Sequence, residues 1–545
     1  MTGRASTDRP DTALASGEEF PGRLKAGSRV GTGVAGGDRD LSDTPGSREV
    51  PHIPPTRSGF GSSPRPPNIV VVVMDCARAK SFGPATNGPR ATTPVLDRLG
   101  RDGTVFSRAV APANWTIPSH MSIFTGCYPN VHGVRTFQQG EAPRATIAAH
   151  LQGRGYETAL FTEMVHLVGG YGLESGYAVR SSPKSGISDA ERTTTNRLAA
   201  RASMLYSPSM RRLIERLPPS IVPLNVINHP QEVAFKREVC GQFVVEAFDG
   251  WLDRRERDRP FHAFFNLVDT HEPYPIIPNG HRVGPLAKWY ARTPRYYLLA
   301  VPGLQELVPW PELLAGYHWS VQQADAKVGQ ILAALERVGE RDRTVVIVTS
   351  DHGQSFGEGG NVYHGCGATD SITRVPLIVS VPSEWSLPRT VDRWTSLTDV
   401  FSWVRSAALG QAPYGEDGRA SGAALEGAGA NATVFCEGAP ASDPNRSLAG
   451  IRADSSWNHR LLAAYRSDGK YVLDLETGGV LYWNPQIPDP DVVAPEALDA
   501  AEAKRVRALV FGDYEATEGR RLAGGTPTPA APATLDARLR SWGYD

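Results

Sequence analysis

The segment Asn68-Ile69-Val70-Val71-Val72-Val73-Met74-Asp75 constrains the fold more than any other part of this chain. An apolar, β-branched run with no polar alternation has to be buried on both faces, which is the situation of a strand inside a parallel sheet covered by helices on each side. The pattern returns at Thr344-Val345-Val346-Ile347-Val348-Thr349-Ser350-Asp351 and at Phe261-His262-Ala263-Phe264-Phe265-Asn266-Leu267-Val268-Asp269. Each copy ends in Asp, and a histidine follows the last two, His352 and His271. Ligands of open α/β sheets gather beyond the carboxyl ends of the strands, so these acids are expected to converge on one site.

Between the strands the period changes. Val321, Ala324, Val328, Ile331, Leu332 and Leu335 share one face of a helix over 321–338 that feeds directly into the strand ending at Asp351. The fold class expected is therefore α/β, a mostly parallel central sheet flanked by helices over 68–405. Residues 180–310, broken by Pro218, Pro219, Pro223 and Pro230, read as an insertion suited to a lid or specificity element. Residues 406–545 read as a small C-terminal α+β subdomain, with short strands at 432–436 and 470–475 after a flexible loop at 410–432. Of the first 67 positions 20 are Gly or Pro, against 99 of 545 overall, and no apolar period runs through them. A disordered tail is expected there.

Charge and cysteine usage exclude several functions. With 57 Lys and Arg against 58 Asp and Glu the net charge is −1, so no global basic field would steer the chain onto nucleic acid or an anionic membrane. No apolar run approaches the roughly 20 residues needed to span a bilayer. The first thirty residues mix acids and bases without a secretory apolar core, so a cytoplasmic protein with no membrane span is expected. The five cysteines, Cys76, Cys127, Cys240, Cys366 and Cys436, are odd in number and contain no C-x-x-C pair, and reduced thiols are expected.

The chemistry-bearing residues cluster at the strand ends and in Asn114-Trp115-Thr116-Ile117-Pro118-Ser119-His120. Small and hydroxyl residues there suit a helix N-terminus, where free amides and the helix dipole favour an anion, and a hydroxyl in that position becomes a nucleophile if a metal lowers its pKa. Taken singly, Thr116 reads as a helix cap and Asp75 or Asp351 as a turn residue. Together, Asp75, Asp351, His352 and Thr116 suit one divalent cation.

The ordered motifs VVVVMDCAR, TTPVLDRLGRDGTVFSRAVAPANWTIPSHMSIFTGCYPNVHGV, VDTHEPY, VVIVTSDHGQSFGEGGNVYHG and TRVPLIV resemble the sulfatase-like branch of the alkaline phosphatase superfamily, from 68 to about 400. SDGKYVLDLETGGVLYW resembles that family's small terminal sheet. The resemblance implies Asp75, Asp351 and His352 as metal ligands and Thr116 at the nucleophile and metal-contacting position. It implies His271 and His364 as the histidines that contact the transferring oxygens or the leaving group. Sulfatases carry a Cys or Ser at the nucleophile, matured to formylglycine; Thr cannot be matured in that way. His120 stands in place of that motif's Arg, and Cys76 in place of a second Asp ligand. These departures resemble the phosphodiesterase, phosphonate monoester hydrolase and phosphotransferase relatives, with a small anionic ester as substrate. Loss of a carboxylate at Cys76 favours Mn²⁺ or Zn²⁺ over Ca²⁺. Asp269, with His271 and His364, would complete a second metal site as in two-metal relatives, but one metal is expected, Asp269 instead orienting a histidine or capping a strand beside the substrate. Arg78 and His120 are further substrate-binding candidates, Arg78 with surface pairing as its alternative. His132 reads as a helix-end contact, and Cys127 and Cys366 as small apolar groups. Two rival readings are a sulfuric ester hydrolase without formylglycine and a catalytically silent metal-binding scaffold.

Overall fold

The structure, a computed structural model, describes residues 65–82, 92–135, 146–168, 172–182, 241–272, 274, 310–358, 362–365, 367–415, 417–419, 433–438, 459–487, 490–491, 493–496 and 498–522. The expected tail up to residue 64, most of the loop at 410–432, and Cys240 and Cys366 lie outside the described residues.

The strands in chain order are β1 (Asn68–Met74), β2 (Thr104–Val110), β3 (Glu157–Thr162), β4 (Val179–Ser181), β5 (Phe261–Leu267), β6 (Thr344–Thr349), β7 (Ser355–Phe356), β8 (Val362–Tyr363), β9 (Leu377–Ser380), β10 (Thr390–Ser396), β11 (Val434–Gly438), β12 (Leu461–Arg466), β13 (Gly469–Asp474) and β14 (Val480–Trp483). The principal helices are α1 (Pro94–Asp102), α2 (Thr116–Thr125), α3 (Ile147–Gln152), α4 (Gln242–Arg254), α5 (Trp310–Arg337), α6 (Asp399–Ala408) and α7 (Ala500–Leu522).

Eight strands form one sheet in the order β10-β2-β9-β6-β1-β5-β3-β4. All its pairings are parallel except those of β9, which runs antiparallel to β2 and to β6. The three motif strands are immediate neighbours at its centre. β1 pairs with β5 and with β6, and the registers Met74↔Leu267 and Val73↔Thr349 bring the three ends to one level.

The uninterrupted run of β1 divides between two cores, as its pleat requires. Val70, Val72 and Met74 join the core under α1, α4 and α5, whereas Ile69, Val71 and Val73 join the core under α2, α3 and α6. α5 begins earlier than the expected 321, because Leu313 and Tyr317 extend the same apolar stripe by two turns. The interval 180–310 is not wholly an insertion: α4 and β5 within it are integral to the sheet and its cover, since Phe261–Leu267 is buried from end to end.

The C-terminal strands form a separate antiparallel sheet, β11-β12-β13-β14. One face packs Phe435, Leu462 and Leu473 against Val506, Val510 and Tyr514 of α7; the other packs Cys436, Tyr465 and Val472 toward Val110 and Trp394 of the large sheet. Glu437 ties the two sheets together, its amide donating to the Pro112 carbonyl at 2.9 Å and its carboxylate pairing with Arg135.

Phe264 joins the sheet to α2, packing edge-to-face on Phe124 at 4.7 Å and lying against His120 at 5.9 Å. Phe264→Ala is expected to destabilise the fold by about 3–5 kcal/mol in denaturant unfolding, the range for emptying a buried aromatic site. A loss below about 1 kcal/mol would show that α2 is held from elsewhere.

Candidate functional site

Asp75 and Asp351 leave the ends of β1 and β6 fully buried. Two turns fix them. Cys76 takes the left-handed conformation, φ 66°, unusual for a residue with a side chain, and its amide thereby donates to Asp351 Oδ1 at 3.2 Å. The Cys76 carbonyl accepts from the Tyr317 hydroxyl of α5 at 3.0 Å, and the Ala77 amide donates to Ser350 Oγ at 2.8 Å. On the other side, Asn266 of β5 donates to Asp75 Oδ2 at 3.2 Å.

Thr116 is the first residue of α2, as the run of small residues predicts, and is only 6% exposed. Its Oγ1 lies 3.1 Å from His352 Nε2. His352 Nδ1 is 2.9 Å from the Gly353 carbonyl, to which it donates; Nε2 is then left with its lone pair toward Thr116, Asp351 Oδ2 at 3.3 Å and Asp75 Oδ1 at 4.0 Å. The structure thus brings Asp75, Thr116, Asp351 and His352 together.

These residues fit a divalent cation. Asp351 Oδ2 is buried and accepts no hydrogen bond. Burial, and then the facing Asp75, push the Asp351 carboxyl well above its usual range. Burial also pushes His120 down to about 4 and His364 down to about 3, so neither imidazole supplies compensating charge near neutrality. Two facing buried carboxylates, one with an oxygen that accepts no hydrogen bond, call for a cation. Asp75, Cys76 and His352 also present donor atoms within 4.8 Å of one another.

A run of imidazoles leads away from this centre. The rings of His352 and His364 are 4.6 Å apart, and those of His364 and His271 5.1 Å. Trp115 covers His364 at 5.2 Å; a Cβ on Gly365, at φ 78°, would come within 2.3 Å of the Trp115 ring, so only glycine admits this stacking.

The remaining candidates are placed as supports. His120, fully buried, has Nδ1 2.8 Å from the Thr116 carbonyl and Nε2 3.4 Å from Asn266 Nδ2, so both nitrogens are engaged below the helix start. Asp269 Oδ1 accepts from Lys327 of α5 at 2.6 Å. Arg78 pairs with Glu358 at 2.8 Å and lies over the Phe356 ring at 5.1 Å. His132 reaches Ser122 Oγ at 2.8 Å, a helix-end contact, and Cys127 is buried. Sequence reasoning missed three residues. Glu272 sits 3.5 Å from His271 Nδ1 and 3.8 Å from His364 Nδ1, Gln354 lies 2.7 Å from His364 Nδ1, and Asn266 steadies Asp75. The signal for Asn266 was an amide in an otherwise apolar buried strand; Glu272 and Gln354 adjoin recognised motif residues.

The sulfatase family's sequence profile matches residues 67–410. The chain belongs to the sulfatase family. Among its relatives, this sulfatase-family chain is 26% identical over 427 residues to a steryl-sulfatase of Mus musculus, covering 65% of this chain and 64% of that protein. It is 23% identical over 326 residues to an ulvan-active sulfatase of Formosa agariphila, covering 58% and 57%. It therefore spans less than two thirds of the length of these two relatives. Its fold resembles a phosphonate monoester hydrolase of Agrobacterium radiobacter at 21% identity (TM-score 0.56, 84% and 96% of the two chains) and one from Silicibacter pomeroyi at 18% (0.57, 85% and 98%).

Glu358 supports a pH prediction. Burial alone would raise its pKa, but Arg78 and then Lys80 override it and lower the carboxyl from 4.5 to about 2. A depressed carboxylate contributes stability that is complete above its unfolded pKa and is lost as pH falls through the folded one. Stability of the wild-type chain should fall between pH 4.5 and about 2, and Glu358→Gln should flatten that limb in pH-dependent thermal unfolding. An unchanged limb would remove the Arg78 pair as its origin.

Proposed function

We propose that this chain is a metal-dependent hydrolase that cleaves a phosphate or phosphonate ester, with Thr116 as nucleophile. The observation that carries the reading is Thr116 Oγ1, a hydroxyl with no maturation route to an aldehyde, at the start of α2 and 3.1 Å from His352 Nε2. One divalent cation, Mn²⁺ or Zn²⁺, held by Asp75, Asp351, His352 and Thr116, would act as a Lewis acid and lower the pKa of the hydroxyl.

Thr116 is held by its place in α2 and attacks phosphorus in line. The bond from phosphorus to the leaving oxygen breaks, and the group rests on the threonine as a phosphoester until water or an acceptor alcohol removes it. His271 and His364 serve the leaving oxygen, His271 at the more exposed rim and His364 under Trp115. The likeness in fold to phosphonate monoester hydrolases supports this reading. The printed names of the curated relatives support a second one, sulfate-ester hydrolysis at the same hydroxyl without formylglycine.

Thr116→Ala should keep its fold and lower turnover by about 10³-fold or more, the scale seen when a nucleophile is removed. Chelation should abolish turnover in wild type, and Mn²⁺ or Zn²⁺ should restore it. A panel of p-nitrophenyl phosphate, its diester, a phenyl phosphonate ester and p-nitrophenyl sulfate separates the two readings. Dominant sulfate turnover favours the second, and full activity in Thr116→Ala eliminates both.

A further inference from the structure

We infer that Asp491, carried by the segment after β14, is a positioning residue for the site: it fixes the turn that sets Gln354, and through Gln354 it aims His364. Asp491 is buried, and its two carboxylate oxygens accept from two successive amides, Oδ1 from Asp370 at 2.5 Å and Oδ2 from Ser371 at 2.7 Å. A carboxylate that takes two backbone donors in this way holds a short turn in one orientation. The turn is Asp370–Thr373, which precedes β9.

The same turn supports the loop that leaves β6. Its Ser371 carbonyl accepts from the Gln354 amide at 2.9 Å, and its Ile372 carbonyl accepts from the Gly353 amide at 2.6 Å. A Cβ at Gly353 would stand 2.0 Å from the Ser371 carbonyl oxygen, so the two segments touch backbone to backbone, with no side chain between them to absorb a shift. The Gln354 side chain then reaches across the site. Its Oε1 is 2.7 Å from His364 Nδ1, and its Nε2 donates to Glu272 Oε2 at 3.2 Å. A displacement of Ser371 therefore moves the Gln354 main chain, and with it the contact that orients the His364 ring.

Charge holds Asp491 in place. Lys80 stands 3.0 Å from Asp491 Oδ2 and 3.4 Å from Glu358, which pairs with Arg78 at 2.8 Å. Asp370 pairs with Lys470 of β13 at 2.7 Å and accepts from the Tyr465 hydroxyl at 2.7 Å, so the two acids that stand together are each answered by a lysine. A role in stability alone would need only these lysine pairs, which tie the C-terminal part of the chain to the Arg78 segment. The two amide contacts differ in kind, because they act on the backbone one hydrogen bond away from Gln354. The effect on turnover rests on the function proposed above; the placement of His364 does not.

The test uses the full chain and whichever ester of the panel it turns over. Asp491→Ala should lower kcat about 10- to 100-fold, the scale of a reacting group displaced by about 1 Å, with KM and metal content within about twofold of wild type. Lys80→Ala keeps both amide contacts and should lose no more than about threefold. Added to Gln354→Ala, Asp491→Ala should cost no more than about twofold further, because residues that act through one contact are not additive. In chains carrying isotope-labelled histidine, Asp491→Ala and Gln354→Ala should move the His364 ring-nitrogen resonance in the same direction, and Lys80→Ala should leave it in place. Asp491→Asn keeps the volume and one amide acceptor, and it carries the same comparison if near-ultraviolet circular dichroism shows the alanine variant unfolded. An unmoved His364 resonance overturns the proposal whatever the kinetics, and so does a kcat loss fully additive with Gln354→Ala. Absence of turnover on every ester would sink the proposed function and leave the His364 resonance to decide the role of Asp491.

Discussion

Two buried carboxylates at the ends of neighbouring parallel strands set the terms for everything around them. Asp75 and Asp351 are fully removed from water, and one oxygen of Asp351 accepts no hydrogen bond. An arrangement of this kind is costly unless a cation joins it, because burial, and then the facing Asp75, oppose ionisation of Asp351. The polypeptide invests in holding the pair nonetheless. The Cys76 amide and the Asn266 side chain each donate to one carboxylate, and the left-handed conformation at Cys76 exists to aim that amide. Local strain concentrated at one residue beside a cluster of donors is the mark of a site shaped for a ligand rather than for stability alone.

The strain is tolerated because the platform beneath it is rigid. β1 divides its side chains between two helix-covered cores, so neither face of the strand can slip without exposing a row of valines. The C-terminal sheet braces the rim from the other side. Lys80, two residues beyond Arg78, reaches Asp491 past β14 at 3.0 Å, and Lys470 of β13 reaches Asp370 at 2.7 Å, so segments around the site are tied to the C-terminal part of the chain by buried or half-buried ion pairs. Removing one partner of such a pair leaves an uncompensated charge, which explains why the smaller sheet is bound closely into the same body.

The parts of this architecture that obey a period were readable in the sequence. β1, β5 and β6 announced themselves as unbroken apolar runs, α5 as an amphipathic stripe, and Asp75, Asp351, His352 and Thr116 as polar residues at the ends of those patterns. What was not readable depends on distances across the fold. Lys327 belongs to the predicted stripe helix, yet nothing local to either residue says that it meets Asp269, 58 positions away. Arg78 reads either as an anion contact or as the partner of an acid, and Glu358, brought beside it after β7, makes it the latter. The interval 180–310 reads as one insertion because its proline breakers hide α4, which packs over the sheet beside β5. Glu272 escaped notice for a different reason: beside a histidine at a strand end it looks like an ordinary turn acid, and only the approach of His364 from a distant hairpin gives it a role.

His120 shows how these placements bear on recognition. By the resemblance in sequence it stands in place of an arginine of the sulfatase maturation motif, and an arginine there would bring permanent positive charge close to Thr116. The imidazole is neutral near pH 7, because burial pushes its pKa down to about 4, and its two nitrogens are taken up by the Thr116 carbonyl and Asn266. Arg78 and Lys327 are likewise committed to Glu358 and Asp269. With these two cations engaged and a net charge of −1, the function proposed above leaves the attraction of an anionic ester to charge on a bound metal at the strand ends. A site organised so depends on its cation for binding as well as for chemistry, and substrate affinity should therefore collapse together with turnover when the metal is removed.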